Sequence, residues 1–428
     1  MSHRATRLAF VVIAIAASSA RADLIHVAGD LGAHLELQIL SVLGQGFEVP
    51  SSVQRAAFAG AVEALLSLDI QEAADLADDA GYDLFEFTHT GNLEVYYVLQ
   101  QQLGSDHPGQ GWYVFNPGWR RKLNIQAPHV PTDMNTGPEA IDTFLWLDAL
   151  FLQLNGAWRC ATSEASPCSG SGPPPCLGSV DGAHPFRTSD AAHFTRCFFH
   201  VASDAVAAHH VGLTTIQVHA FFVCEGRDAD DTPAAQISNG AGNTPNSLAT
   251  RIALAYNDGL QGAGYTGRLA VSCNATDDDP AEVQAVDVCP ELCGGSNVQG
   301  RSINGSPDAC NVAVHGRIRS ERFIHMERLG HLTRAGPGLP DFPGVSRQVC
   351  IDALGRVFPA PSQLWADFDH FGFEDGAFAT PYNTMAEALH AASAGQMIRI
   401  KAGSTDESAT IRQRVTLRSY GGNVLIGR

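Results

Sequence analysis

The sequence predicts an α/β protein with a largely parallel or mixed central sheet, helices on both faces of that sheet, and a short all-β module at its carboxyl end. Strand-like and helix-like segments alternate from residue 123 to residue 219, and such alternation produces parallel strands joined by helical crossovers. The 428-residue chain is 45% hydrophobic, which is enough apolar material for sizeable buried cores. After residue 364, short strand-like runs separated by glycine turns predict the all-β module.

The amino-terminal residues, 1–22, have the pattern of a secretory signal peptide. Arg4 and Arg7 precede an apolar run, 8–17, and Ala20-Arg21-Ala22 matches a small-residue cleavage site. The run is about half of the roughly 20 residues that a membrane anchor needs. We therefore expect export to the periplasm or the extracellular space, with no membrane span elsewhere. The remaining divisions are an α/β domain at 23–344 with a helical part at 23–81 and disulfide-rich loops at 160–310, a linker at 345–363, and the all-β module at 364–428.

Start and stop signals define the elements of the α/β domain. Ser51 or Ser52 can cap a helix that runs to about Leu66, and Gly81 can end a second helix. Ser189 or Asp190 is placed to cap a later helix that ends near residue 209. The predicted strands are 82–87, 95–100, 123–127, 213–218 and 322–328, and the other predicted helices are 138–154 and 247–258.

All ten cysteines lie between Cys160 and Cys350, and an oxidising compartment favours disulfides over free thiols. Three of them surround the Gly-, Pro- and Ser-rich loop 165–175, which a bridge would close. The spacing of Cys289 and Cys293 resembles a zinc site, but export favours disulfides there as well. The even number of cysteines predicts that all of them are paired.

The formal net charge of −18 argues against two classes of partner. Nucleic acids and anionic membrane surfaces both require a basic patch on the protein. The sequence therefore predicts no nucleic-acid partner.

The segment 364–428 resembles the cap and first coils of a right-handed parallel β-helix. The resemblance rests on Pro381-Tyr382-Asn383-Thr384, on residues 398–403 and on residues 415–422. The predicted strands of this segment are 397–401, 409–411, 415–417 and 424–426. It implies stacked coils that could bind a glycan or a protein partner. A solenoid needs several coils to bury its core, so we expect this short one to leave an open edge.

Two of the predicted strands end in a histidine. His129 and His219 follow apolar runs, and the carboxyl ends of neighbouring parallel strands meet at one sheet edge, where ligands of α/β proteins bind. With one carboxylate, Asp133 or Glu139, the imidazoles would form a catalytic zinc site with an open position for water. Glu327 is the candidate to take a proton from the attacking water and pass it to the leaving amine.

Four further side chains are candidates for supporting roles. Asp190 could accept a hydrogen bond from a ligand imidazole, and His193 beside it could do the same or contact substrate, although the pair also suits a helix cap. Arg159 and Arg301 could each bind a substrate carboxylate.

Short motifs give the α/β domain a resemblance to a known family. Ala127-Pro128-His129 with Asp133, then Gln217-Val218-His219, then His325-Met326-Glu327 resemble the exported zinc amidohydrolases with the carboxypeptidase-like fold. That family includes the N-acetylmuramoyl-L-alanine amidases and the poly-γ-glutamate hydrolases. The resemblance covers roughly residues 123 to 330, and it implies that His129, Asp133 and His219 are metal ligands and that Glu327 is the general base.

The sequence thus predicts a secreted, zinc-dependent hydrolase of amide or peptide bonds, acting on peptidoglycan, a peptide or a related amide outside the cytoplasm. One alternative is a non-catalytic envelope protein that binds a glycan or a partner through its all-β module. The other is a metal-free secreted esterase, which the sequence supports less, because the nucleophile elbow G-x-S-x-G is absent and the nearest approach, Ser169-Gly170-Ser171-Gly172, has the wrong spacing.

Overall fold

The structure is a computed structural model, and it describes most of the chain from residue 22 to residue 427. The predicted signal peptide lies outside the described residues except for Ala22. Within 22–427, the residues not described are 42–45, 92, 131, 134, 171–174, 178–181, 222–231, 242–246, 266–268, 285–287, 315–320, 330–341, 361, 373, 375, 377, 379, 393–394 and 413.

Ten described strands form one large mixed sheet, in the order β1-β2-β3-β4-β6-β5-β7-β10-β8-β9. These strands are β1 (Ile25–Gly29), β2 (Tyr82–His89), β3 (Val95–Gln101), β4 (Trp112–Phe115), β5 (Arg121–Ala127), β6 (Ala149–Leu154), β7 (Thr214–Phe221), β8 (Ala235–Ser238), β9 (Ala270–Ser272) and β10 (Phe323–Leu329). At the centre, β5 is parallel to both β6 and β7, and β7 is parallel to β10. The antiparallel pairs join β2 to β3, β3 to β4, β4 to β6 and β8 to β10, so the mixed form of the predicted sheet is confirmed.

Helices cover both faces of this sheet and bury a core on each. The helices are α1 (Leu31–Ser41), α2 (Ser52–Leu66), α3 (Ile70–Asp79), α4 (Thr136–Trp146), α5 (Phe198–His209), α6 (Leu248–Gly262), α7 (Val298–Ile303) and α8 (Phe342–Val357). One core joins the sheet to α1, α4, α6 and α8, and the other joins it to α2, α3 and α5. Successive residues of a strand point into opposite cores, as Tyr113 and Val114 of β4 do.

The amino-terminal helices begin and end as predicted. Ser51 and Gln54 form a reciprocal capping box at the start of α2, which satisfies two backbone donors that the first turn would otherwise leave free. Gly81 follows α3 with a φ of +75°, a conformation that favours glycine.

The predicted helix 138–154 is wrong in its second half. Helix α4 ends at Trp146, Asp148 has a φ of 44°, and residues 149–154 are the buried central strand β6. Every residue of β6 is buried, so the segment lacks the alternation that marks a half-exposed strand.

The predicted cap of the next helix is also wrong. Helix α5 begins at Phe198, after Cys197, which makes no side-chain capping bond. The Ser189 hydroxyl instead donates to the carbonyl of Arg159, and Asp190 binds two histidines. Both side chains are therefore free of any capping role.

The predicted linker 345–363 is for the most part a helix. Helix α8 spans Phe342–Val357 and packs against α6, and Cys350, Ile351 and Leu354 are buried in the core. Residues 345–357 thus belong to the α/β domain.

A separate three-stranded parallel sheet follows. It contains β11 (Gln363–Ala366), β12 (Met397–Thr405) and β13 (Thr416–Ile426), with helix α9 (Met385–Ala391) packed beside it. The predicted strand 409–411 is irregular, and 415–417 and 424–426 fall largely within one continuous strand, β13. The small parallel sheet is confirmed, whereas the β-helix itself stays a prediction.

The small sheet packs against the loop that joins β4 to β5. Arg399 is buried over the rings of Trp365 and Tyr420 and donates to the carbonyl of Pro117. Arg418 stacks over Trp119 at 3.6 Å from the ring centroid and donates to the carbonyl of the same residue. The small sheet is thus joined to this loop by one cation–π contact and by hydrogen bonds from two arginines.

Disulfides cross-link the loops, as predicted. The described pairs are Cys160–Cys176, Cys168–Cys310 and Cys273–Cys293. Cys289 is also disulfide-bonded, so both cysteines of the zinc-like spacing are in disulfides. Cys197 and Cys350 are buried free thiols, and the prediction of complete pairing is wrong.

These disulfides are compatible with an exported protein. Among the described residues, no helix has both the length and the apolar character needed to cross a bilayer.

Candidate metal centre

The carboxyl ends of β5, β7 and β10 place the predicted site residues at one edge of the large sheet. Gln126 of β5 lies opposite Gln217 of β7, so the turn after β5 and the end of β7 bring His129 and His219 together. Glu327 of β10 is the register partner of His219. Residues 90 and about 200 positions apart along the chain therefore meet because their strands are parallel neighbours.

Three potential ligand atoms face one another at the centre of the site. His129 Nδ1 lies 3.1 Å from His219 Nδ1 and 3.3 Å from Asp133 Oδ2, and His219 Nδ1 lies 3.5 Å from the same carboxylate oxygen. All three side chains are buried. Their atoms are close enough together to hold a metal ion.

The far side of each imidazole is fixed by an acceptor. His129 Nε2 lies 2.9 Å from Asp190 Oδ1, and His219 Nε2 lies 2.8 Å from the amide oxygen of Gln217. Because a carboxylate and an amide oxygen can only accept, each Nε2 carries the proton and each Nδ1 is left with a lone pair. Two nitrogen lone pairs and a carboxylate oxygen thus converge, and a cation satisfies all three.

The charges around this cluster favour one proton or one metal ion between the ligands. Burial lowers the pKa of His129, but the carboxylates of Asp190 and Asp133 outweigh burial and raise it. Burial lowers the pKa of His219 to about 4. In the metal-free protein a proton on His129 is therefore the competitor of a metal ion.

Asp133 stays ionised although it is buried. Burial raises its pKa, but Arg159 and His129 overcome that effect and hold the pKa well below the usual value. The Arg159 guanidinium binds Asp133 Oδ1, which leaves Oδ2 for the histidines. Arg159, a predicted substrate contact, thus lies at the site and pairs with a ligand candidate.

Glu327 and His325 extend the site along β10. His325 Nε2 lies 3.6 Å from Glu327 Oε1, and the His325 ring packs against His219 with centroids 4.4 Å apart. Burial, reinforced by the charge of Asp133, raises the pKa of Glu327 to about 8. His325 Nδ1 is buried without a hydrogen-bond partner among the described residues. His219, His325 and Glu327 form a further group whose atoms could hold a metal ion.

A cavity of about 240 Å³ opens onto these residues. His129, Asp133, His219 and Glu327 line it, and Phe186 forms part of the wall. The candidate metal centre is therefore accessible from this cavity.

Two predicted site residues lie elsewhere. Glu139 forms a buried ion pair with Arg328, whose side chain points to the opposite face of β10 from Glu327. Arg301 donates to the carbonyls of Gly295, Ser169 and Cys310, and it therefore holds loops together. Neither residue is among those that line the cavity, so the structure does not bring Glu139 or Arg301 to the site, and their roles as a ligand and a substrate contact stay predictions.

Several site residues were not predicted. Gln217 accepts from His219 and from Asn297, and it donates to Gln126 Oε1 at 2.8 Å, so a buried amide network lies under the histidines. Glutamines inside apolar strands are the signal that could have revealed it, because a buried amide needs partners. His325 and Ser296 were missed as well, and both line the cavity.

Comparison with models of known protein families and with curated proteins gave no match to this chain. The side chains of the site are therefore the basis for assigning a function.

Proposed function

We propose that this chain is an exported, zinc-dependent hydrolase of amide or peptide bonds. The observation that supports this most is the convergence of His129 Nδ1, His219 Nδ1 and Asp133 Oδ2, with both imidazoles oriented from behind. Two imidazoles, one carboxylate and an accessible fourth side match catalytic zinc sites. Zinc held there would supply Lewis-acid polarisation of a carbonyl group and make water more acidic.

The residues of the chain have distinct tasks in this proposal. His129, Asp133 and His219 hold the ion, and Asp190 and Gln217 fix the tautomers of the two histidines. Glu327 is the register partner of His219 and lines the cavity, which suits it to accept a proton from the attacking water and to give it to the leaving amine. The half-buried Arg159 pairs with Asp133 and keeps its charge in place.

The resemblance to exported zinc amidohydrolases suggests the substrate class. It points to peptidoglycan, a peptide or a related amide outside the cytoplasm, and the disulfides are compatible with that location. We also propose that residues 364–428 form a β-helix-like module for a glycan or protein partner, which the parallel register of β11, β12 and β13 supports. An experimental structure in which the connection from β12 to β13 is not a right-handed coil would contradict that part.

Metal analysis tests the proposal directly. Full-length protein equilibrated with zinc and freed of excess should retain about one ion per chain, measured by mass spectrometry of the element. His129→Ala and His219→Ala should retain none. His200→Ala is the matched control, because His200 is buried on α5 and pairs with Asp204 away from the site. Folded wild-type protein that retains no zinc would refute the proposal.

Activity is tested separately from binding. Glu327→Gln should still retain zinc but should hydrolyse peptide or peptidoglycan amides at least about 100-fold more slowly, since it cannot transfer a proton. Equal rates for Glu327→Gln and wild type would remove Glu327 from the mechanism while leaving the metal site intact.

A further inference from the structure

A second arrangement of reactive side chains lines the same cavity. Ser296 Oγ lies 3.3 Å from His193 Nε2, and His193 Nδ1 lies 2.9 Å from Asp190 Oδ1. A hydroxyl, an imidazole and a buried carboxylate thus follow one another through hydrogen bonds. Ser296 and His193 both line the cavity.

The positions of the protons can be assigned from the partners. Asp190 can only accept, so His193 Nδ1 carries the proton and Nε2 is left to accept from the Ser296 hydroxyl. This is the order that nucleophilic catalysis by serine needs, with the base next to the hydroxyl and the carboxylate behind the base.

Packing holds the base in this orientation. The His193 ring stacks on Phe186 with centroids 3.5 Å apart and the planes 11° from parallel. Asp190 is fully buried, and its Oδ1 also accepts from His129 Nε2. One carboxylate is therefore shared between the metal centre and His193.

The loop that carries Ser296 is held on both sides. The disulfide Cys273–Cys293 fixes it before the serine, and the side chain of Asn297 caps α7 after it. Gly294 has a φ of +70°, and a Cβ atom there would lie 2.9 Å from His325 Cγ. The chain can turn this closely past His325 only because residue 294 lacks a side chain.

We propose that Ser296 is a covalent nucleophile for acyl transfer, with His193 as its general base. Ser296 Oγ forms a bond to the acyl carbon of an ester while His193 Nε2 takes the hydroxyl proton. The bond to the leaving oxygen breaks, and His193 returns the proton to that alkoxide. Water then attacks the acyl carbon and gives a proton to His193 Nε2, the bond from Ser296 Oγ to that carbon breaks, and His193 returns the proton to Oγ. The carboxylic acid leaves, and the serine hydroxyl is restored. This activity uses no metal and goes beyond the proposed amide hydrolysis.

A fluorophosphonate probe tests this inference on the full-length chain. We expect the probe to add once to wild-type protein, both with zinc and after chelation, and peptide mass mapping should place the adduct on Ser296. Ser296→Ala should not be labelled. Ser302→Ala should be labelled like wild type, because the Ser302 hydroxyl binds Asp204 outside the cavity.

The rate of labelling by the probe tests the role of His193 as the general base. His193→Gln should be labelled at least about 100-fold more slowly, since general base catalysis contributes about that much or more. Folded wild-type protein without an adduct at Ser296, or labelling that is independent of His193, would overturn the inference. Protein that retains zinc but is not labelled contradicts this inference alone, whereas labelled protein without zinc contradicts the proposed metal centre alone.

Discussion

Strand β10 carries two buried ionisable groups in succession, and their surroundings differ in kind. Arg328 points to one face of the sheet, where it pairs with Glu139 on α4 and lies over the ring of Tyr256. Glu327 points to the other face, where among the described residues it forms no ion pair with a lysine or arginine. Both carboxylates, Glu139 and Glu327, are buried, but among the described residues only Glu139 forms an ion pair with an arginine.

Glu139 is a charge that is paired within the core, whereas Glu327 is a carboxyl group without an ion-pair partner at the candidate metal centre. The buried ion pair of Glu139 and Arg328 joins α4 to β10, and removing one partner would leave the other charge buried and uncompensated. A buried carboxyl without an ion-pair partner keeps its proton to a higher pH, and burial together with the charge of Asp133 raises the pKa of Glu327 to about 8. The same strand thus contributes to the core on one face and to the candidate metal centre on the other.

The largest expected effect on stability comes from breaking the ion pair between Arg328 and Glu139. Arg328→Met should lower the free energy of unfolding by about 3–5 kcal/mol, because it leaves the Glu139 carboxylate buried and uncompensated. Denaturant unfolding followed by circular dichroism measures this change. The double variant Arg328→Met/Glu139→Leu should recover most of the loss, since an apolar pair of similar size can replace a buried ion pair. If the free energy of unfolding of Arg328→Met lies within about 1 kcal/mol of that of wild type, the ion pair does not stabilise the fold as expected.

The next largest effect is the dependence of protein stability on pH that the buried Glu327 carboxyl causes. In metal-free protein, the pKa of Glu327 is about 8 when folded, which lies above the ordinary value of an unfolded glutamate. Between about pH 4.5 and pH 8 the unfolded chain therefore loses a proton that the folded chain keeps, so stability falls as pH rises, by up to about 1.4 kcal/mol per pH unit.

Glu327→Gln should remove this dependence. The free energy of unfolding of wild type minus that of Glu327→Gln should fall by a few kcal/mol across the window and stay level above pH 8. Urea unfolding of both proteins at several pH values, with a chelator present, gives the difference directly. A difference that is constant with pH would show that the folded protein does not perturb this carboxyl.

The smallest expected effect is on zinc affinity, and it comes from replacing Gln217, which accepts a hydrogen bond from the ligand candidate His219. Gln217→Ala removes the acceptor that fixes the His219 tautomer, so we expect zinc affinity to fall about 10-fold, as for other partners of metal-binding histidines. Competition with a zinc-binding dye measures the dissociation constant. Gln236→Ala is a suitable control, because that buried glutamine of the neighbouring strand β8 binds the backbone of Cys289 instead. Equal zinc affinities for Gln217→Ala and wild type would show that Gln217 does not fix the tautomer of His219.

Much of the fold could be predicted where a local signal matches the tertiary structure. The capping box at Ser51, the β-branched strand β7 and the capped helix α6 all follow from a few neighbouring residues. Strand β6 could not be predicted, because its burial on both faces removes the alternation, and helix α8 could not be distinguished from a linker at the end of a Pro- and Gly-rich segment.

The site shows the same division between local and distant information. The strand-end positions of His129 and His219 can be predicted, since parallel neighbours end at one edge of a sheet. Ser296 cannot be connected to His193 from the sequence, because 103 residues separate them and only the folded loop brings them together. Glu139 stands closer in sequence to His129 than Glu327 does, yet it belongs to the other face of the sheet.

The contacts of Arg399 and Arg418 have a consequence for any shortened form of the protein. They hold the carbonyls and the indole ring of the segment 117–119, and this segment leads directly into β5, which ends just before His129. Removing the small sheet would strip two guanidinium groups from the backbone that anchors the first zinc ligand candidate. The shortest useful expression fragment therefore extends through β13, because the carboxyl-terminal sheet supports the start of β5, and the candidate metal centre lies at the other end of that strand.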